Sequence, residues 1–489
     1  MKKKYIFFIF IIIISVGYLY INKSIGNKTN LFHFAKDYLP QNVKIFLKKN
    51  VFVYKYKKNL EEKIRSLNTL TIPRLENKFA KKEIQLENLL VEFGYIPVQK
   101  NEVVEKFSVK DDEYRLTKFK AKYLYVSKHS SGGIGSSYLD YFENRLLIST
   151  ATGIFGYVHL EDFNNEEFNI IIIPSNIKDL IKYNEFYSSS DFGVKDLLIY
   201  KDKIYISYSN QVEKDCYNTS ILVADLNLKE LNFKSFFSPQ DCIKEENEYG
   251  EFVGAQGGGR MFPYKNNKIL FSHGEYRFRD YAQNKSNLFG KIISIDIDTK
   301  EYKIISMGHR NPQGLFYDVE ENIIFSTEHG PKGGDEVNIH KSPEKIENFG
   351  WPISSYGELY GLNKSYYDRQ SKNSKYKNPT LYKSHKDYGF VEPLKYFVPS
   401  IGVSQVIKIP FKYNQNKKNQ LLVGAMGNKI REGDLSLHYL TLNEDKTLIV
   451  HDIIPIKERV RDMIYVKEAN KIFLFLETTA SIGILEVGK

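Results

Sequence analysis

One motif recurs six times between Leu139 and the C-terminus, and this recurrence restricts the fold more than any other feature. Each copy is a short apolar run, a polar turn, and a second apolar or aromatic run that ends in small residues. The copies are LDYFENRLLISTATG from Leu139, LLIYKDKIYISYSN from Leu197, MFPYKNNKILFSHGE from Met261, LFYDVEENIIFSTEHG from Leu315, VIKIPFKYNQNKKNQLLVGAMG from Val406 and MIYVKEANKIFLFLET from Met463. Each reads as a β-hairpin. Their starts lie 58, 64, 54, 91 and 57 residues apart. With further strands between them, this period predicts an all-β fold built by radial repetition of four-stranded sheets, a six-bladed β-propeller. Stacked β-sandwiches would not explain one motif at near-constant spacing. The long gap holds an insertion rich in Tyr, Lys and Ser at roughly residues 353–390. Loops at one end of a propeller's central channel converge, so function is expected there, on residues just after strands.

The segment before the repeats differs. Lys2, Lys3 and Lys4 precede an uncharged run from Tyr5 to Ile21. A basic flank before an apolar run predicts an N-terminal membrane anchor with the rest of the chain outside the cytoplasm. No small-x-small cleavage site follows closely, which favours an uncleaved anchor over a cleaved signal. Apolar residues at helical spacing follow, interrupted by Pro73. The expected divisions are an anchor over 1–22, a short helical juxtamembrane linker over 23–104, and the propeller over 105–489. The expected location is the inner membrane, with the propeller facing the periplasm.

In an exported protein two cysteines permit a disulfide. Cys216 and Cys242 flank a strand–turn–strand segment whose ends would meet, which predicts a Cys216–Cys242 bridge; the alternative is two buried thiols. The net charge of +11 is spread along the chain apart from a cluster before residue 85. No long basic stripe suggests a nucleic-acid groove. A Lys-rich surface explains the charge better than attraction to an anionic membrane or polysaccharide.

Four segments carry chemistry: GGGRMF at Gly257–Phe262 with AQNKSNLFGKI at Ala282–Ile292; GHRNPQGL at Gly308–Leu315; STEHGPKGGDEVN at Ser326–Asn338 followed by NFGWP at Asn348–Pro352; and Arg459-Val460-Arg461-Asp462. If Arg310, Arg459 and Arg461 point into one channel, they make a site for a multiply anionic ligand, because guanidinium matches carboxylate geometry. Asn311 adds a neutral donor. The glycine-rich turn from His329 to Glu336 offers carbonyls and carboxylates, hard oxygen ligands suited to Ca²⁺. On spacing alone, a surface ion pair and a plain turn remain the alternatives.

Together and in this order, the GGR, AQ…GKI, GHRNPQG, EHGPKGGDEVN…GWP and RVRD segments resemble the soluble PQQ-dependent aldose sugar dehydrogenases, the glucose/sorbosone dehydrogenase family. The resemblance is specific from about Ala255 to the C-terminus and faint from about 130 to 254. It implies a six-bladed propeller that oxidises a sugar or related alcohol with PQQ and Ca²⁺. Arg310 and Asn311 would bind the quinone, and Arg459 and Arg461 would hold its carboxylates. The carbonyls of Gly330 and Pro331 would bind the cofactor's Ca²⁺. The Asp335–Glu336 pair, through Glu336, would hold a second, structural Ca²⁺. Phe349 replaces the family's tyrosine in that turn, where only a carbonyl ligand would survive.

The sequence also departs from the family. Gln256 stands where the family has its general-base histidine, and a neutral amide is no base near pH 7. The candidates to replace it are His273, Glu275 and His329. Gly427 stands where the family has a lysine, with Lys429 two residues on. Two readings follow: a quinoprotein-like oxidoreductase with altered base chemistry, or a non-catalytic propeller that binds a ligand or partner at the same channel.

Overall fold

The computed structural model describes residues 89–489 except 102–103, 110–111, 122–135, 182–185, 187–190, 249, 332, 358–379, 382–384, 410–418, 428–432 and 488–489. The chain divides into two units, 1–76 and 77–489. The expected anchor over 1–22 and most of the expected linker over 23–104 lie outside the described residues. No helix among the described residues is long and apolar enough to cross a membrane.

The described part is all-β and propeller-like. Mostly antiparallel strands form a ten-stranded sheet, two five-stranded sheets and two four-stranded sheets, with a small two-stranded parallel pair and a parallel edge pairing of Tyr302–Met307 with Glu347–Asn348. The strands Ser137–Phe142, Val194–Tyr200, Gly258–Tyr264, Pro312–Asp318, Val403–Ile409 and Val460–Val466 each pack on the next, and the last packs on the first. They form a closed inner ring, and each begins one of the six recurring hairpins. The polar turns provide the reversals. Lys201 and Asp202 both take positive φ, 52° and 55°, and Asn322 and Asn470 sit at 52° and 50°. Adjacent positive-φ residues match the right-handed twist of the strands they join.

The second strand of a hairpin is covered on both faces, so it reads as a continuous apolar run. Ile323–Glu328 and Gln420–Ala425 are buried at every position. The core is divided into clusters that join successive sheets. Tyr138 and Leu147 pack with Leu197 and Ile206, Ile221 and Tyr205 with Met261 and Phe271, and Leu270 with Leu315 and Ile324. Carboxylates stitch the inner strands as well. Asp462 accepts from Leu139 N at 2.8 Å, Asp140 accepts from Ile199 N, and Asp196 accepts from Met261 N at 2.6 Å.

One expectation changes. Strands begin at Tyr95–Lys100, ahead of the boundary expected at 105. This strand lies between Asp112–Ala121 and Glu167–Ile173 and joins the first and last repeats in one sheet. The disulfide is as expected: Cys216 and Cys242 are bonded, with Cα atoms 5.4 Å apart.

Candidate functional site

The singled-out residues gather where the inner strands begin. Gln256 precedes Gly258–Tyr264, Arg310 and Asn311 precede Pro312–Asp318, and Arg459 and Arg461 open Val460–Val466. None is more than 7% exposed, so the arginines are not surface ion pairs. Gln313 connects the two groups. Its amide donates to Asn311 Oδ1 at 3.0 Å and accepts from Arg461 Nη1 at 3.5 Å, and its carbonyl accepts from Arg260 Nε at 2.7 Å. Arg310 and Arg461 also both bear on His329, whose pKa is lowered first by burial and then by these two charges.

Two guanidinium groups share one carboxylate. Glu477 Oε2 accepts from Arg459 Nε at 2.6 Å, and Glu477 Oε1 accepts from Arg461 Nε at 2.9 Å and Nη2 at 2.8 Å. Beside them, Arg260 bridges Asp196 at 2.9 Å and Asp462 at 2.7 Å and lies over the Tyr138 ring. Two arginines on one glutamate leave one positive charge, which Arg260 between two carboxylates offsets when both are ionised; burial raises the pKa of Asp196 to about 7 and that of Asp462 as well, which weakens the offset. Lys195 lies close by. Its Nζ donates to Asp191 O at 2.8 Å and Gly254 O at 3.2 Å, and burial lowers its pKa to about 8.

Gln256 lies against Arg310. In the amide orientation that satisfies its neighbours, its nitrogen donates to Glu275 Oε1 at 3.2 Å. Its oxygen accepts from Arg310 Nη2 at 3.0 Å and Arg277 Nε at 3.2 Å. The Arg310 guanidinium also lies 5.5 Å from the centre of the Trp351 ring. Two buried polar atoms at this cluster, Glu275 Oε2 and Trp351 Nε1, have no hydrogen-bond partner. Buried polar atoms are normally paired. A positive cluster, an indole face and an orphaned N–H suit a planar, multiply anionic ligand such as PQQ, whereas the orphaned carboxylate oxygen is an acceptor in want of a proton or a donor.

The expected calcium ligands do not form an open oxygen set. Gly330 O accepts from Arg310 Nη1 at 2.8 Å, and Pro331 O accepts from Ser400 Oγ at 3.2 Å. The Asp335 carboxylate is spent on the backbone N–H groups of Gly330, Gly402 and Val403. Glu336 faces His385 Nε2 at 3.1 Å and Asn338 Nδ2 at 3.3 Å. Phe349 is 1% exposed, and its ring stacks on His309 at 4.9 Å. Each of these oxygens is engaged in hydrogen bonds, and the carbonyls of Gly330 and Pro331 each keep a second lone pair. Among the described residues, the one group of three ligating side chains is Glu213, Cys216 and Cys242, whose cysteines form the disulfide.

His273 is placed as a structural residue rather than a base. It is fully buried, accepts from Thr219 N at Nε2 (3.2 Å), and places Nδ1 2.9 Å from Gly274 O. A carbonyl only accepts, so Nδ1 carries the proton and the one lone pair is already engaged. Burial drops its pKa to about 4. His329 instead donates Nε2–H to Val403 O at 2.6 Å, which leaves its lone pair on Nδ1. Gly427 has no room for a side chain, since a Cβ there would meet Asp434 Oδ2 at 2.0 Å. Lys429 lies outside the described residues. Sequence reasoning missed Glu477, Gln313, Arg260 and Lys195. Arg260 and Gln313 lay in the quoted motifs GGGRMF and GHRNPQGL, and Glu477 near the end of the last repeat, but none was given a role.

The glucose/sorbosone dehydrogenase family pattern matches residues 170–485. Aldose sugar dehydrogenase YliI of Escherichia coli is 27% identical over 318 residues, covering 60% of this chain and 75% of that protein. An uncharacterized Synechocystis protein is 28% identical over 198 residues, covering 38% of this chain and 42% of that protein; this match spans less than half the relative's length. Among solved structures, the soluble aldose sugar dehydrogenase of Escherichia coli in its apo form has a TM-score of 0.53 at 20% identity, covering 72% of this chain and 96% of that one. A PQQ-bound aldose sugar dehydrogenase from Streptomyces coelicolor has a TM-score of 0.51 at 16% identity, covering 74% and 97%. At these identities the structures establish the fold alone. The matched pattern spans well over half of the sequence, and the chain belongs to the glucose/sorbosone dehydrogenase family.

Proposed function

We propose that this protein is a quinoprotein-like dehydrogenase that oxidises a hydroxyl of a sugar or related alcohol with PQQ, on a six-bladed propeller. The observation that carries the reading is the burial of Arg310, Asn311, Arg459 and Arg461, with Gln313 between Asn311 and Arg461 and with Arg310 over the Trp351 ring, whose N–H is unpartnered. The closed ring of inner strands supports the blade count.

Arg310 and Asn311 would hold the quinone portion, and Arg459 and Arg461 its carboxylates. PQQ supplies a two-electron acceptor when bound. Glu477 orients both arginines and keeps them from repelling each other in the absence of an anion. The indole of Trp351 offers a flat apolar wall. The carbonyls of Gly330 and Pro331 would hold Ca²⁺ beside the cofactor, each through the lone pair that its hydrogen bond leaves. The Cys216–Cys242 bridge favours an oxidising compartment. With the basic flank and apolar run at residues 2–21, it supports a periplasm-facing protein held by an N-terminal anchor.

The test is titration of the intact protein with PQQ, read by absorbance, followed by aldoses and a dye acceptor. Binding in the micromolar range or tighter is expected. Arg310→Ala should weaken it about 10- to 100-fold, the worth of a charged hydrogen bond. Absence of binding with or without added Ca²⁺ would reject the reading. It would favour a non-catalytic propeller, which the loss of the family histidine at Gln256 and the internal pairing of Arg459 and Arg461 with Glu477 already make the second reading.

A further inference from the structure

The residue at the family's base position is an amide, yet a carboxylate lies one hydrogen bond behind it. Glu275 is fully buried. Oε1 receives the Gln256 amide at 3.2 Å, and Oε2 has no partner. A buried carboxylate oxygen without a donor is unusual enough to call for a ligand or a proton. The charged groups facing it come from two segments: Arg310 from the turn before Pro312–Asp318, and Arg277 and Arg279 from the turn after Lys268–His273. The same three arginines also act on Glu251, from the loop before Gly254–Gln256. Glu251 is itself paired with Arg279 at 2.9 Å.

The backbone fixes this arrangement. Tyr276 and Arg277, directly after Glu275, both take positive φ, 51° and 70°. Here Glu275 N donates to Arg310 O at 3.0 Å, Tyr276 N to Gln256 O at 3.2 Å, and Phe278 N to Glu275 O at 2.6 Å. Position 274 must be glycine, since a Cβ there would meet Gln256 O at 2.0 Å. This close approach holds the 256 and 275 side chains together.

We infer that Glu275, oriented by the Gln256 amide, is the proton acceptor for the substrate hydroxyl and does the work that the family assigns to the histidine at position 256. The inference rests on the quinoprotein reading above. In the step, the substrate O–H bond breaks and its proton passes to Glu275 Oε2. The carbinol C–H bond breaks and its hydrogen leaves with both electrons to the bound ortho-quinone, while the C=O bond forms. The substrate loses two electrons and the quinone gains them. Burial raises the Glu275 pKa to about 7 against the pull of Arg310, Arg279 and Arg277, which suits a base working near neutrality.

The experiment compares wild type, Glu275→Gln, and Glu275→Gln combined with Gln256→His, all as full chains loaded with PQQ. Cofactor absorbance is read separately from dye-linked turnover. Wild-type kcat/KM should rise with pH through about 7. Glu275→Gln should keep cofactor binding and lose turnover about 10²- to 10⁴-fold. The added histidine should restore part of the rate, which a purely structural role for Glu275 would not predict. Turnover by Glu275→Gln at the wild-type rate overturns the inference alone. So does a wild-type pH profile flat from 5.5 to 8.5, a measurement that does not depend on the variant folding. PQQ binding by wild type without turnover also overturns it, whereas no PQQ binding overturns the quinoprotein reading and this inference together.

Discussion

Glu477 determines what the two arginines of the RVRD segment can do. Its carboxylate is fully buried and receives three guanidinium hydrogen bonds, with Ser136 Oγ as a further donor. Removing one member of a buried ionic network leaves the others desolvated and unpaired, at a cost of about 3 to 5 kcal/mol. Glu477→Gln should lose stability of that order in urea unfolding, and a multiply charged anion should recover part of the loss. A change under about 1 kcal/mol would mean that water already reaches the arginines. Nothing in the sequence marked Glu477. It ends an apolar strand in FLFLETT, where an acid reads as a solvated strand end. The arginines were legible because they are dense and sit in motifs. Their partner was not, because the contact joins neighbouring strands of one sheet and has no local spacing signature. The same holds for Glu275, which entered as one base candidate of three. His273 seemed equivalent in sequence, but its ring is consumed by Thr219 N and Gly274 O.

Hairpins were the most legible elements because each carries its own evidence: apolar alternation, a polar turn and a length near that of a strand. The Cys216–Cys242 bridge came from the same local logic. Cys216 opens the strand Cys216–Asp225, which pairs with Lys234–Phe237, and the chain then returns so that Ile243 and Lys244 pair with Tyr217 and Cys216. The bond closes a loop of sequence separation 26. In the chain-entropy description, such a loop stabilises the fold by about 3 to 4 kcal/mol by restricting the unfolded state. Replacing both cysteines by serine should lower the denaturant midpoint by a corresponding amount, with the native-state near-UV spectrum unchanged. An unchanged midpoint would mean that the Tyr217–Ile243 pairing already restricts the unfolded chain. The turn from His329 to Glu336 was harder to read, since a glycine-rich acidic segment has the same composition whether it binds a cation or braces backbone. The structure shows bracing: the Asp335 carboxylate holds three N–H groups from two segments.

At the scale of the whole molecule, a ring of sheets must solve one problem that no repeat solves alone, namely how the last sheet meets the first. Here the answer lies outside the six repeats. Asp112–Ala121 pairs antiparallel with Ser481–Val487, from Tyr114 opposite Val487 to Lys120 opposite Ser481. Tyr95–Lys100 then links Asp112–Ala121 to Glu167–Ile173. The hydrophobic cluster across the seam draws on both ends of the chain, with Phe119, Phe473 and Ile482 packed among Leu146, Val158 and Ile170. Sequence periodicity located the repeats but was silent on closure, because the closing strands belong to no repeat and Tyr95–Lys100 reads as part of the linker. A chain that begins at residue 136 would keep all six hairpins yet leave Ser481–Val487 and Glu167–Ile173 as open edges. Unpaired edges invite pairing with other chains. That truncation should melt well below the full chain and associate as its concentration rises in light scattering, whereas a chain that begins at residue 77 should melt with the full-length protein. Equal melting temperatures for the chain that begins at 136 and the full chain would show that the inner ring is stable without its closing strands.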